Sequence, residues 1–235
     1  FQLTARYGFL QEVQSKYGRN TMPLSIWRMY DFLPVVIYAG VGNDFVQCNH
    51  GGMEPGYDPR PLLNASGEQR FQMLGELARA RFLAEHPEWV DTSDSKLKSL
   101  LDTRLKDFRP RSPTVPATIG FMWSDYAVFR DDPALSYDPR RGALVFGRSA
   151  TASLLGYAST GRAKLRAVFR AHQHSSAPNA MMNPLIASNG SFRHWQATDG
   201  KARATSSRAD LKSVIETDRK RPIPDRSVWT FNVAP

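Results

Sequence analysis

Cysteine is nearly missing: Cys48 is the only one in 235 residues, so the chain cannot close a disulfide within itself. That excludes a disulfide-stapled secreted scaffold. It points to a reducing, intracellular compartment, with the cytoplasm as the first expectation and an organelle as the second. No run reaches the roughly 20 apolar residues that a membrane-spanning helix needs, so no membrane span is expected. No signal-peptide pattern opens the chain, and neither does a methionine; it begins at Phe1, which leads us to expect that translation starts upstream. Internal repeats are absent. Acidic residues are in deficit, 22 against 31 Lys and Arg, for a formal net charge of +9. The excess favours an anionic partner such as phosphate groups or nucleic acid. Charge alone does not choose between them, and an inert basic surface accounts for it equally well.

The length is enough for one sizeable domain with its own core, or at most two small ones. "FLPVVIYAGVGNDFVQC" (32–48) reads as a hairpin, two β-favouring runs around the turn residues GVGND. Ahead of it, "YGFLQEVQSKYG" and "LSIWRMYDFL" read as helices, the second with Trp27, Tyr30 and Leu33 at helical spacing. Ser66 and Gln69 form a capping-box pattern before "EQRFQMLGELARARFLAEH", which predicts a helix. "KLKSLLDTRLKDF" places Leu97, Leu100, Leu101 and Leu105 on one stripe among basic residues; its plain reading is an amphipathic helix with a solvated basic face. "RGALVFG" (141–147) predicts a strand leading into the helical "RSATASLLGYA", "KLRAVFRAHQHSS" (164–176) a strand ending on histidine, and "SVWTFNVAP" (227–235) a last strand. The polar 197–210 stretch reads as a surface insertion. Strands alternating with helices argue for a layered α/β or α+β fold.

His50, in "FVQCNHGGMEPG", and His172, in "FRAHQ", each follow a β-rich run and precede polar or small residues. Groups at strand exits project into the crevice where α/β folds bind ligands. Gly51 and Gly52 would let the backbone turn and approach something closely. A lone histidine in such a place is commonly structural; two in matching contexts point toward a metal, for which imidazole is the commonest ligand. Spacing names no carboxylate to complete the site.

Five segments, in order, resemble the phosphoprotein phosphatase family of serine/threonine phosphatases, calcineurin among them. "RMYDFLPVVIY…FVQCNHGGMEP" is similar to that family's F-x-x-L-P…C-x-H-G-G-L-x-P. "MWSD" (122–125), "RRGALVFG", "FRAHQ" (169–173) and "WTFNVAP" resemble its W-S-D, R-G…F-G, R-A-H-Q and S-A-P-N stretches. The resemblance runs from about residue 7 to the last. It implies a calcineurin-like metallophosphoesterase fold, two packed β-sheets flanked by helices. The chain would be the C-terminal portion of that single domain, incomplete at the N-terminus, with insertions at about 66–116 and 177–226. It implies two divalent metal ions (Mn, or Fe/Zn) and hydrolysis of phosphoserine or phosphothreonine in a phosphoprotein by a metal-bridging water. By position, His50 and His172 match the two histidine ligands of the second metal, Arg141 a phosphate-gripping arginine, and Asp125 an acid beside the catalytic centre. R-A-H-Q and W-S-D together point to the protein phosphatase branch over the nucleotide and diester hydrolases of the superfamily. A regulatory subunit or large assembly is the partner class it suggests.

The chain departs from the pattern in places. Three residues separate RG from FG where the family has four, which makes Arg140 an alternative to Arg141. Tyr126 replaces a proline, and His174 stands in an aliphatic position, read here as a supporting or surface histidine. The family's G-D-x-H-G, G-D-x-x-D-R-G and G-N-H-E motifs do not occur in these residues. Two histidines alone do not hold two metals, since metal sites use at least three protein ligands each. We therefore expect the 235-residue chain to be inactive on its own. It is either part of a longer active phosphatase or a catalytically inactive phosphatase-like domain acting as a structural or interaction subunit. In the second case its net charge alone suggests RNA or a large assembly.

Overall fold

The computed structural model describes residues 9–18, 32–66, 71–89, 95, 99, 107–110, 120–128, 135–138, 143–173, 181–195 and 223–232. The chain divides into two compact units, Phe1–Val35 and Val36–Pro235. The first contains α1, Phe9–Tyr17, the helix expected there. Lys16 reaches back one turn to Glu12 at 2.7 Å, an exposed i,i+4 pair that favours the helix only weakly. The expected helix around Trp27 and Tyr30 lies outside the described residues.

Among the described residues, the second unit is a mixed α/β structure with two sheets. In chain order its strands are β1 (Val36–Val41), β2 (Asp44–Asn49), β3 (Asp125–Tyr126), β4 (Leu135–Asp138), β5 (Ala143–Phe146), β6 (Lys164–Arg170), β7 (Ser191–Arg193) and β8 (Ser227–Phe231). Its helices include α2 (Arg60–Leu63), α3 (Arg79–Glu85), α4 (Gly120–Trp123), α5 (Arg148–Ala158) and α6 (Met182–Ala187), with a 3-10 turn at Pro87–Trp89. One sheet runs β1-β2-β6-β8-β7 and the other β3-β5-β4. The β2-β6 and β6-β8 pairs are parallel, while β1 and β7 close the first sheet antiparallel.

The β1-β2 hairpin turns on Gly42 and Asn43, and the positive φ falls on Gly42 (62°), as a two-residue hairpin loop with glycine first requires. One buried cluster joins the sheets: Leu165, Val168 and Val228 from the first, Tyr126, Leu135, Leu144 and Phe146 from the second, with Leu154 and Leu155 of α5. Each fully buried leucine or phenylalanine contributes about 1.5–3 kcal/mol of transfer free energy, so this cluster fixes how the sheets face. No helix among the described residues is long and apolar enough to cross a membrane.

The helix expected after Ser66 is corrected. Residues 71–76 have no regular structure, and α3 starts only at Arg79, with Ala78 as an N-cap that offers no side chain to the first turn. Leu77 explains the delay: its N–H donates to the Phe108 carbonyl at 2.9 Å and its carbonyl accepts from the Phe108 N–H at 3.1 Å. A backbone committed to that bridge cannot serve a helix. Gln69, the Leu97–Leu105 stripe and the 197–210 insertion lie outside the described residues. Part of the 66–116 stretch is core, since Phe82, Leu83 and Trp89 join the central cluster.

Candidate functional site

Parallel pairing of β2 with β6 sets Asn49 opposite Arg170, so both strands end side by side and the residues that follow leave the sheet at the same edge. The Ala171 N–H donates to the His50 carbonyl at 3.2 Å, carrying the pairing one step past the strands. The His50 and His172 rings come together, centroids 5.0 Å apart and nearly perpendicular. His50 is exposed and His172 is buried, 4% accessible. The His172 backbone has φ 73°, a left-handed conformation that costs a non-glycine residue on the order of 1 kcal/mol and persists where its surroundings enforce it. Trp123 lies edge-on to the His172 ring at 6.1 Å.

Asp125 opens β3 of the second sheet and points back at the first. Its carboxylate accepts from the Arg170 guanidinium, from the Tyr126 N–H at 2.9 Å and from Gln173 Nε2 at 3.2 Å on both oxygens. Gln173 is tied in turn to the residue after β8, its carbonyl accepting from Asn232 Nδ2 at 3.0 Å. Arg170 is wholly buried and also lies over the Tyr126 ring, 5.5 Å from its centroid. Asp125 is thus the anchor of a buried cation beside the histidine pair. Arg140, Arg141 and His174 lie outside the described residues.

The two glycines after His50 do approach something closely, and it is backbone. The Gly51 N–H donates to the Phe121 carbonyl at 2.7 Å and the Gly52 N–H to the Gly120 carbonyl at 3.1 Å. Asn49 Nδ2 adds bonds of 2.7 Å to the carbonyls of Phe121 and Gly52. A Cβ on Gly51 would fall 2.4 Å from the Met122 carbonyl carbon and 2.5 Å from the Trp123 nitrogen, and neither can yield without moving α4. Gly51→Ala is expected to cost about 1–3 kcal/mol in urea unfolding and to weaken the nuclear Overhauser effect between the two histidine rings.

Four residues that the sequence did not single out complete the surroundings. Asn49 follows the strand expected to end at Cys48 and Arg170 lies within the one expected to end on histidine, but their roles depend on strand pairing. Glu54 and Arg79 form a buried ion pair, with Arg79 Nε and Nη2 donating to Oε1 and Oε2 at 2.7 and 2.8 Å. Burial pushes the Glu54 carboxyl above its ordinary value while Arg79 opposes the shift. Every hydrogen-bond partner shown for that carboxyl is a donor, which fits the ionised form. One signal existed for Arg79: it precedes Phe82 and Leu83 by three and four residues, on the buried face of α3.

Among the described residues, no group of three or more His, Cys, Asp and Glu is arranged to hold a metal ion. The His50–His172 pair fits part of a cation's ligand set, two imidazoles converging from adjacent strand ends, and needs further ligands to bind tightly. The chain matches no protein-family model and no curated protein.

Proposed function

We propose that this chain carries the two-histidine part of a two-metal phosphoesterase centre of the phosphoprotein phosphatase kind, acting on phosphoserine or phosphothreonine. The observation that supports the reading is the convergence of His50 and His172, 5.0 Å apart at the ends of two parallel strands. Bound divalent cations there would activate water at neutral pH and offset charge developing on the phosphoryl oxygens. The chain's own contribution is positional. Its two imidazoles are presented together, and the Asp125–Arg170 pair fixes the strand end from which His172 departs. Arg141, or Arg140, is the proposed phosphate-gripping arginine, where a planar guanidinium suits two oxygens.

A second reading, an inactive phosphatase-like domain serving as a structural or interaction subunit, is favoured by one observation: no third ligand joins the pair among the described residues. The two readings part on an assay. The purified 235-residue chain with Mn2+ is expected to release no phosphate from a phosphoserine peptide above blank. The native protein, with its intact mass established, is expected to release it, and His172→Ala should lower the rate at least about a hundredfold. Native protein that is inactive with Mn2+, Fe2+ and Zn2+ would establish the second reading instead.

A further inference from the structure

We infer that Arg79, from the 66–116 stretch, is a positioning residue for the histidine pair, acting through Glu54 and the start of α4. The inference rests on the functional reading above for its purpose, though not for its geometry. The Glu54–Arg79 pair is almost sealed from solvent, with side chains 0% and 1% accessible. A carboxylate removed from water so completely needs all its partners, and here it has the guanidinium fork and one more donor. That donor is the backbone N–H of Gly120, the first residue of α4, which bonds Glu54 Oε2.

Gly120 could be no other residue at this approach. A Cβ there would meet the Met53 carbonyl oxygen at 2.4 Å and Glu54 Oε2 at 3.0 Å. From Gly120 the connection runs directly to the site. Its carbonyl accepts from the Gly52 N–H, and the next carbonyl, Phe121, accepts from the Gly51 N–H and from Asn49. Those bonds hold the turn that carries His50. At the other end of the same short helix, Trp123 stands against the His172 ring. One buried guanidinium therefore sets the height of α4, and α4 touches the surroundings of both histidines. The bonds from Arg79 to Glu54, and from Glu54 to the Gly120 N–H, give Arg79 a positional action on the pair.

A buried ion pair replaced on both sides by apolar residues of similar volume often keeps the fold, and this separates positioning from stability. In Glu54→Met/Arg79→Met the charges vanish together, and so does the acceptor for the Gly120 N–H. Wild type, this paired variant and Arg79→Lys are to be compared on three readouts: thermal midpoint, the Overhauser effect between the His50 and His172 rings, and a Zn2+ titration followed on the histidine ring signals. The paired variant is expected to keep most of the wild-type midpoint while the ring-to-ring effect falls by at least about half. Zn2+ should bind it roughly tenfold more weakly. Arg79→Lys, which keeps a cation on Glu54 without the fork, should fall between the two. A paired variant with wild-type ring contacts and Zn2+ affinity overturns the inference, and so does such a lysine variant should the paired one fail to fold. The functional reading fails separately, if Zn2+ moves neither histidine signal in the wild type or moves the His50 signal equally in His172→Ala.

Discussion

Replacing Asp125 by alanine is expected to remove about 3–5 kcal/mol of folding free energy, because it strands a buried cation. The Arg170 side chain is 0% accessible and the Asp125 side chain 14%. Arginine cannot shed its proton to escape the cost. Among the described residues, Arg170 Nε and Nη2 have no hydrogen-bond partner, so Asp125 is its principal neutralising contact. The loss would consume a large share of the roughly 5–15 kcal/mol that holds a typical domain folded. Asp125→Asn retains an acceptor of the same shape and should cost less, about 1.5–3 kcal/mol for a charge-assisted bond. Asp125→Ala/Arg170→Met should recover part of the alanine loss. Urea unfolding followed by tryptophan fluorescence measures all three. An alanine variant within about 1 kcal/mol of wild type would show that Arg170 is compensated elsewhere. The resemblance places Asp125 beside a catalytic centre; its geometry adds a stabilising role, so activity lost in Asp125→Ala must be read against folded protein only.

Stability is expected to drop as the pH is lowered from about 6.5 to 4, through His194. This residue follows β7 and is 1% accessible. Its Nδ1 lies 2.8 Å from the Ala127 carbonyl and its Nε2 2.8 Å from Thr230 Oγ1. A carbonyl only accepts, so Nδ1 carries the proton and Nε2 accepts from the threonine hydroxyl. Burial first, and the Arg170 charge second, push His194 from 6.5 down to about 4. The unfolded chain therefore takes up a proton over a pH range in which the folded chain does not. The contribution is fully present above about 6.5 and falls by up to about 1.4 kcal/mol per pH unit below it. The total loss is roughly 3 kcal/mol by pH 4. Unfolding free energies at pH 7, 6, 5 and 4.5 for wild type and His194→Gln test this. The advantage of the wild type should shrink across the series, and a difference that stays constant would falsify the assignment. His194 bonds Ala127, which follows β3 of one sheet, and Thr230 in β8 of the other, so the group that titrates sits where the two sheets meet.

The elements that could be read along the chain are those whose cause is local. Alternating β-branched and aromatic residues around GVGND predict the β1-β2 hairpin. Apolar runs bounded by glycine or charge predict β5, β6 and β8, and a small-residue apolar pattern predicts α5, which begins at Arg148. The short strands β3, β4 and β7 carry no such pattern; they exist because β5 and β8 offer them partners. The helix expected from Ser66 onward begins only at Arg79 for the same kind of reason, since Leu77 is bridged to Phe108.

At the candidate site the division is similar. That His50 and His172 each follow a strand is written in their own neighbours, as is the need for glycine after His50. That the two strands lie adjacent and parallel, that the glycines press on α4, and that Glu54 finds Arg79 are not. Secondary structure follows from propensities and periodicities within a few residues. The partner of a buried charge follows from which distant segments pack around it, and the high cost of leaving that charge unpaired makes the choice specific. Short-range patterns along this chain suffice to name the two histidines and the strands that present them, while their meeting, and the buried charges that hold them in place, come from packing between segments far apart in the chain.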